Sequence, residues 1–271
     1  MTLLSERRQY VLESLINEYV ASAQPVGSKT LVARYFSDIS SATVRNELSW
    51  LEDRGYVIAP HTSAGRIPTN SGYRSFVNHL LLKEERLLEV VMLGAVQQVM
   101  RGAALTTAQS VASMSLLDIL DRIALQTESL AVFCNPGAKG NIIHRGLSQL
   151  LSQPEFAEMQ NALPLIKLLE DEGELIGVLT DVQGAHGLHI RIGTENYDAQ
   201  LFSFSMIATR IDAATMVGDL RHVTPMSGGQ VIAVFGPTRM NYRRAIQALL
   251  QGAAQIGYLI SSNDKRGHFE Y

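Results

Sequence analysis

Arg45 and Asn46 stand side by side in the stretch 40–66, SSATVRNELSWLEDRGYVIAPHTSAGR, and carry the most specific chemistry in the chain. An arginine fork matches the O6 and N7 acceptors of guanine, and an asparagine amide matches N6 and N7 of adenine, both in bidentate geometry. Val44, Leu48 and Leu51 recur at helical spacing and form one apolar stripe. The opposite face holds Ala42, Asn46 and Ser49, flanked by Thr43 and Arg45. It lacks the Glu/Lys mixture of a helix that merely faces water. Gly55 stands where a left-handed residue ends a helix. Tyr56–Ala59 then reads as a strand, Pro60–Gly65 as a turn, and Arg66 and Ile67 as the start of a return strand. That is the layout of a winged helix-turn-helix, with the helix entering a major groove and the hairpin lying along the backbone or minor groove.

Base reading is therefore expected of Arg45 and Asn46, supported by Ser41 and Thr43. Phosphate contact is expected at the start of the preceding helix, where Ser28, Lys29 and Thr30 offer amides, hydroxyls and an ammonium. On the wing it is expected of His61, Thr62, Ser63 and Arg66. An amphipathic helix and hairpin also serve protein contacts, and the Arg45–Asn46 pair is what favours DNA.

The elements that must position these side chains follow in order. Ser5 caps a helix running to about Ala21, with Val11, Leu12, Leu15, Ile16, Tyr19 and Val20 turned inward. Pro25-Val26-Gly27 breaks it, and Ser28 caps a helix over Lys29–Phe36. Ser40 or Ser41 caps the third helix, completing a helix-turn-helix core. Pro68 and Thr69 open a fourth helix, whose apolar pattern continues through Met100 and stays helical over Ala103–Glu128, with Val111, Met114, Leu117, Leu120 and Ile123 apolar. Leu130–Phe133 reads as a strand. Leu147–Leu151 reads as a short helix, and Pro154 and Pro164 each start another, the last ending near Glu172. Leu175–Thr180 reads as a strand and Asp181–Gly187 as a turn. Leu188–Ile192 alternates, with His189 and Arg191 on a wet face. Phe202, Phe204 and Met206 alternate in the next strand, Gln230–Phe235 is the last, and a helix runs from Arg239 to about Ile260. The expected fold class is α+β, with an antiparallel sheet and helices on one side of it. The expected domains are a DNA-binding head at 1–80, a helical connector at 81–128, a second, α+β domain at 129–260 and a loose tail at 261–271.

Composition bounds the function. The chain has 271 residues, an apolar fraction of 46% and a net charge of −3, enough for two real cores but not for a polyelectrolyte binder. Residues 1–80 carry eight Lys/Arg against seven Asp/Glu, so a DNA reading rests on where the basic residues sit. The single cysteine, Cys134, excludes an internal disulfide and suits a reducing cytosol. No signal pattern or membrane-length apolar run is present, so a cytoplasmic protein is expected. His186 and His189 lack companion ligands at metal spacing, and no cofactor is expected. Gly236-Pro237-Thr238-Arg239 lacks the glycine spacing of a phosphate loop. It reads as a strand-to-helix turn capped by Thr238, with Arg239 as an interface or ligand arginine. No Ser/His/Asp set or activated thiol announces an enzyme.

Several long segments resemble the HrcA family of bacterial heat-inducible transcription repressors. In the first half these are Pro25–Leu31, Ser40–Leu48, His61–Thr69 and Gly72–Arg74. In the second they are Gln153–Phe156, Ile192–Asn196 and Gly236–Tyr242. The resemblance implies a homodimeric repressor of chaperone operons that binds the double-stranded inverted repeat called CIRCE. It further implies a GAF-like second domain and control by the chaperonin GroEL, which keeps the repressor active until unfolded clients occupy it. The chain is several dozen residues shorter than usual for that family, with strands missing between the connector and Arg145–Phe156. Two rival readings keep their own signatures. A winged-helix regulator released by a small ligand would need no chaperonin, and a protein-interaction module would show no salt-dependent duplex binding.

Overall fold

The computed structural model describes residues 4–61, 64–83, 114–136, 141–180, 187–211 and 229–264. The chain forms two compact units, Met1–Lys83 and Glu84–Tyr271.

The first unit is built from α1 (Glu6–Ser22), α2 (Ser28–Tyr35), α3 (Ser41–Asp53), β1 (Val57–Ile58), β2 (Ile67–Pro68) and a helix over 70–83, α4. Leu12, Leu15, Leu31, Val44, Leu51 and Val77 are fully buried, and Val26, Val57, Tyr73 and Leu80 nearly so. Burying each such side chain contributes about 1.5–3 kcal/mol, so this small core holds the helix-turn-helix together. Ser5 sits at the cap of α1 but makes no side-chain hydrogen bond there. Ser28 is the first helical residue of α2, not its cap, which falls on Gly27. Pro68 does not open α4 but pairs with Val57 in the wing, where a residue without an N–H suits the edge of a two-stranded ribbon. Thr69 caps α4 instead, its Oγ1 accepting the Gly72 amide at 3.1 Å and donating to the Gly55 carbonyl at 2.6 Å.

The second unit contains α5 (Leu116–Thr127), β3 (Leu130–Asn135), β4 (Asn141–Arg145), α6 (Leu147–Leu151), α7 (Met159–Glu170), α8 (Glu172–Thr180), β5 (Leu188–Ile192), β6 (Phe204–Ile211), β7 (Gln230–Pro237) and α9 (Tyr242–Asp264). The strands form an antiparallel sheet in the order β4-β3-β7-β6-β5. This mixed arrangement of helices and an antiparallel sheet agrees with the expected α+β fold class. Helices cover both faces, however, not one. Leu130, Val132, Cys134, Phe204, Met206, Val231, Ala233 and Phe235 share a core with Leu150, Leu165, Leu168, Leu175 and Leu179 of α6–α8. The alternate strand positions meet α9, as in the Ser205–Tyr242 hydroxyl pair at 2.8 Å. Helix α9 packs in turn on α5, where a Cβ on Gly252 would come within 2.4 Å of Ile123. Hence β7 is buried at every position but its first, a pattern that one covered face cannot produce.

Other departures have local causes. The apolar run at 175–180 is helical, because Asp171 accepts the Glu174 amide at 2.9 Å and Leu175 and Leu179 turn to one side together. Pro164 lies inside α7, not at its start. Strand β4 was not expected. Arg191 is buried, so β5 has no wet face. Phe202 is exposed in the turn before β6, and Leu117 faces outward while Ile119 and Ala124 point in. Asn241, not Thr238, caps α9, accepting the Arg244 amide at 3.0 Å, and the helix runs to Asp264. The continued connector over 84–113, the turn over 181–186, His186 and the tail beyond Asp264 lie outside the described residues.

Candidate nucleic-acid interface

Helix α3 is fixed at both ends by its own sequence. The Ser40 hydroxyl accepts the Thr43 amide at 3.1 Å, and the Thr43 hydroxyl lies 3.1 Å from it. At the other end Gly55 adopts φ 74°, the Gly55 amide donates to Glu52 at 2.9 Å and the Tyr56 amide to Leu51 at 2.9 Å. This paired closure is a Schellman motif, and only glycine enters that φ without strain. Val44, Leu48 and Leu51 bury the inner face.

The outer face is open: Ala42, Arg45, Asn46 and Ser49 are exposed. Ser41 and Thr43 are half-buried, and Thr43 is held in the cap. Lys29 and Thr30 are exposed on the first turn of α2, with Ser28 half-buried beside them. His61 is exposed at the wing tip, and Thr62 and Ser63 lie outside the described residues.

Arg66 turns towards α3. Its guanidinium pairs with Glu52 of α3, with Nε 2.9 Å and Nη2 2.7 Å from the carboxylate, and its Nη1 donates to the Ala64 carbonyl at 3.3 Å. The same carboxylate accepts the Ala59 amide at 3.1 Å. Arg66 is thus engaged inside the protein, clasping both arms of the wing to α3. Its backbone pairs with Val26 through hydrogen bonds of 2.9 and 2.8 Å. A Cβ on Gly65 would come within 2.5 Å of the Val26 carbonyl carbon, and one on Gly72 within 2.1 Å of the Tyr56 carbonyl oxygen. These contacts explain why the segments at 25–31, 61–69 and 72–74 belong together: they meet at the base of the wing.

Sequence reasoning missed the other flank of α3. Glu47 is buried and receives Arg7 at 2.7 Å and Arg8 at 2.9 Å, while the Arg8 guanidinium lies 3.9 Å over the Trp50 ring and that of Arg54 4.8 Å from it. The arginine doublet at the start of α1 was the available signal.

Among the described residues the second unit offers no comparable surface chemistry. Arg239 is 11% exposed and pairs with Glu155 at 2.5 Å and Gln153 at 3.1 Å, so it fastens the turn before α9 and is not an interface arginine. Asn196 donates to the Gly193, Leu201 and Phe204 carbonyls, each at 2.9 Å. Burial pushes the Cys134 thiol up, away from thiolate chemistry. Among the described residues no group of three or more His, Cys, Asp and Glu is placed to hold a metal.

The family profile described as the HrcA protein C terminal domain matches residues 84–246. The heat-inducible transcription repressor HrcA of Desulforamulus reducens is 27% identical over 342 residues, covering 91% of this chain and 94% of that protein. That of Symbiobacterium thermophilum is 28% identical over 339 residues, covering 91% and 96%. Both alignments are longer than the chain's 271 residues, so these relatives contain segments that it lacks. A crystal structure of a hypothetical protein at 2.2 Å resolution shares the fold with a TM-score of 0.66 at 18% identity, covering 96% of this chain and 98% of that one.

Proposed function

This chain belongs to the HrcA family of heat-inducible transcription repressors, and on that premise we propose that it silences class I heat-shock operons by binding the CIRCE inverted repeat as a homodimer. It is a repressor, not an enzyme. The observation that supports the DNA reading is the outer face of α3, where Arg45 and Asn46 are exposed on a helix capped at both ends. Arg45 and Asn46 discriminate bases, with Ser41 and Thr43 in support. Lys29, Ser28, Thr30 and the wing tip at His61–Ser63 approach phosphate. An inverted repeat requires a two-fold partner, so two heads at 1–80 read two half-sites. The connector at 81–128 joins the heads to the regulatory domain at 129–260 and contributes to the dimer. The chaperonin GroEL sustains the active form, and heat, by filling the chaperonin with unfolded clients, releases the operator. Such a protein works in the cytoplasm, and among the described residues no helix is long and apolar enough to cross a membrane.

Fluorescence anisotropy tests this directly, using a duplex with the inverted repeat and a scrambled duplex over several salt concentrations, with and without chaperonin. Tight binding to the repeat alone, strengthened by chaperonin, is the expected result. Specific binding indifferent to chaperonin keeps the DNA head but removes that mode of control. Equal binding to both duplexes overturns the repressor mechanism.

A further inference from the structure

The geometry points to a second phosphate-binding wall on the head, formed by Arg7, Arg8 and Arg54 around Trp50, on the flank of α3 opposite the wing. This inference rests on the reading of α3 as the groove-entering helix. At about 100° per residue, Ala42, Arg45, Asn46 and Ser49 define one outward line along the helix. Trp50 then lies about 90° to one side of that line and Glu52 about 70° to the other. A helix with its side chains is about 10–12 Å across and the major groove about 12 Å wide, so the two flanks of a bound helix face the two sugar-phosphate backbones.

One flank is closed by the wing, which Glu52 and Arg66 attach. The other presents guanidinium groups. Asn46, Trp50 and Arg54 are successive i, i+4 neighbours, so they run as one row from the base-reading face towards the end of α3. Arg8 reaches over the same indole from α1, at 3.9 Å, and Arg54 lies 4.8 Å from it. Arg7 and Arg8 share a single carboxylate, Glu47, which is buried behind them, and Arg7 remains 60% exposed. Among the described residues Arg54 pairs with no carboxylate. The cluster therefore has more positive charge than Glu47 neutralises, and the indole holds two guanidinium planes in place. Arginine stacked on an aromatic ring keeps its edge N–H groups free to meet phosphate oxygens.

Arg7→Gln and Arg54→Gln test the wall, because Arg8 still neutralises Glu47 in the first and the second removes only a surface stack. Each variant is compared with the parent chain by thermal melting and by salt-dependent anisotropy on the repeat and scrambled duplexes. Each should melt as the parent does, lower the magnitude of the salt slope by about 1.8 (about 0.9 for each of the two heads), and weaken both duplexes by the same factor. Arg54→Glu should weaken both further. Unchanged slopes in both variants, with the parent still binding in a salt-dependent way, overturn the wall and leave the DNA reading standing. So does a changed preference between duplexes at constant slope. A parent chain that binds neither duplex removes both.

Discussion

Arg45 and Asn46 owe their value to what surrounds them as much as to their own chemistry. Each is exposed, while Val44 and Glu47 on either side of them are buried, so the pair is presented on a helix whose rotation is fixed by its core. Replacing either with alanine should cost on the order of 1–3 kcal/mol on the inverted repeat and relax base preference, with scrambled-duplex binding little changed. Competition binding across single base-pair changes in each half-site measures this. An Arg45→Ala protein that kept full preference would remove arginine from the readout. Lys29 stands apart. It is exposed on the first turn of α2, where an ammonium adds to the free amides of a helix start. Lys29→Ala should weaken both duplexes alike and reduce the salt slope by about 1.8, about 0.9 for each head. A shift in preference at constant slope would show Lys29 reading bases.

At the scale of elements, the wing contributes only two ladder pairs, Val57 with Pro68 and Ile58 with Ile67. So short a ribbon is not stable on its own. It holds its angle to α3 through the Val26–Arg66 backbone pair and through Glu52, which accepts from both arms. Glu52→Gln and Arg66→Ala should therefore act through the same contact. The double variant should weaken operator binding little more than either single one, with a coupling of about 0.5–1 kcal/mol and an unchanged salt slope. Additive losses, or a lower slope in Arg66→Ala alone, would return Arg66 to the phosphates. The head was legible because its punctuation is local: Ser40, Gly55 and the Pro25–Gly27 corner each set one backbone feature. The Arg66 clasp was not legible because nothing near it in sequence reveals that Glu52 lies across from it. In the second unit the run at 175–180 is apolar in a way that suits strand or helix, and only the cap at Asp171 decides it. Arg239 looks like a surface arginine, but its burial follows from a contact far along the chain, with Glu155, while Arg191 is buried with its guanidinium 4.0 Å over the Tyr197 ring. Strand β4 pairs on one side only, at the edge of the sheet, and its short sequence carries no strong alternation.

For the whole molecule the charge sets a constraint. The chain carries −3 overall and its first eighty residues only a small positive excess, so one head cannot hold DNA by bulk electrostatics. On the proposed dimer, affinity comes from a few placed contacts made twice. Two heads joined in one dimer turn the second contact into an intramolecular event, which raises affinity by about 10²–10⁴ when the spacing fits and by nothing when it does not. Inserting about five base pairs between the half-sites rotates one of them by about half a helical turn, to the far side of the duplex. Binding should then fall to the level of a duplex carrying a single half-site, with one head engaged and the salt slope roughly halved. Inserting about ten base pairs restores the face but lengthens the span, and should recover affinity only in part. The readout is anisotropy on the four duplexes, with sedimentation to count chains per duplex. If the five-pair insertion leaves affinity unchanged, the two heads bind independently, and operator choice must rest on each half-site alone.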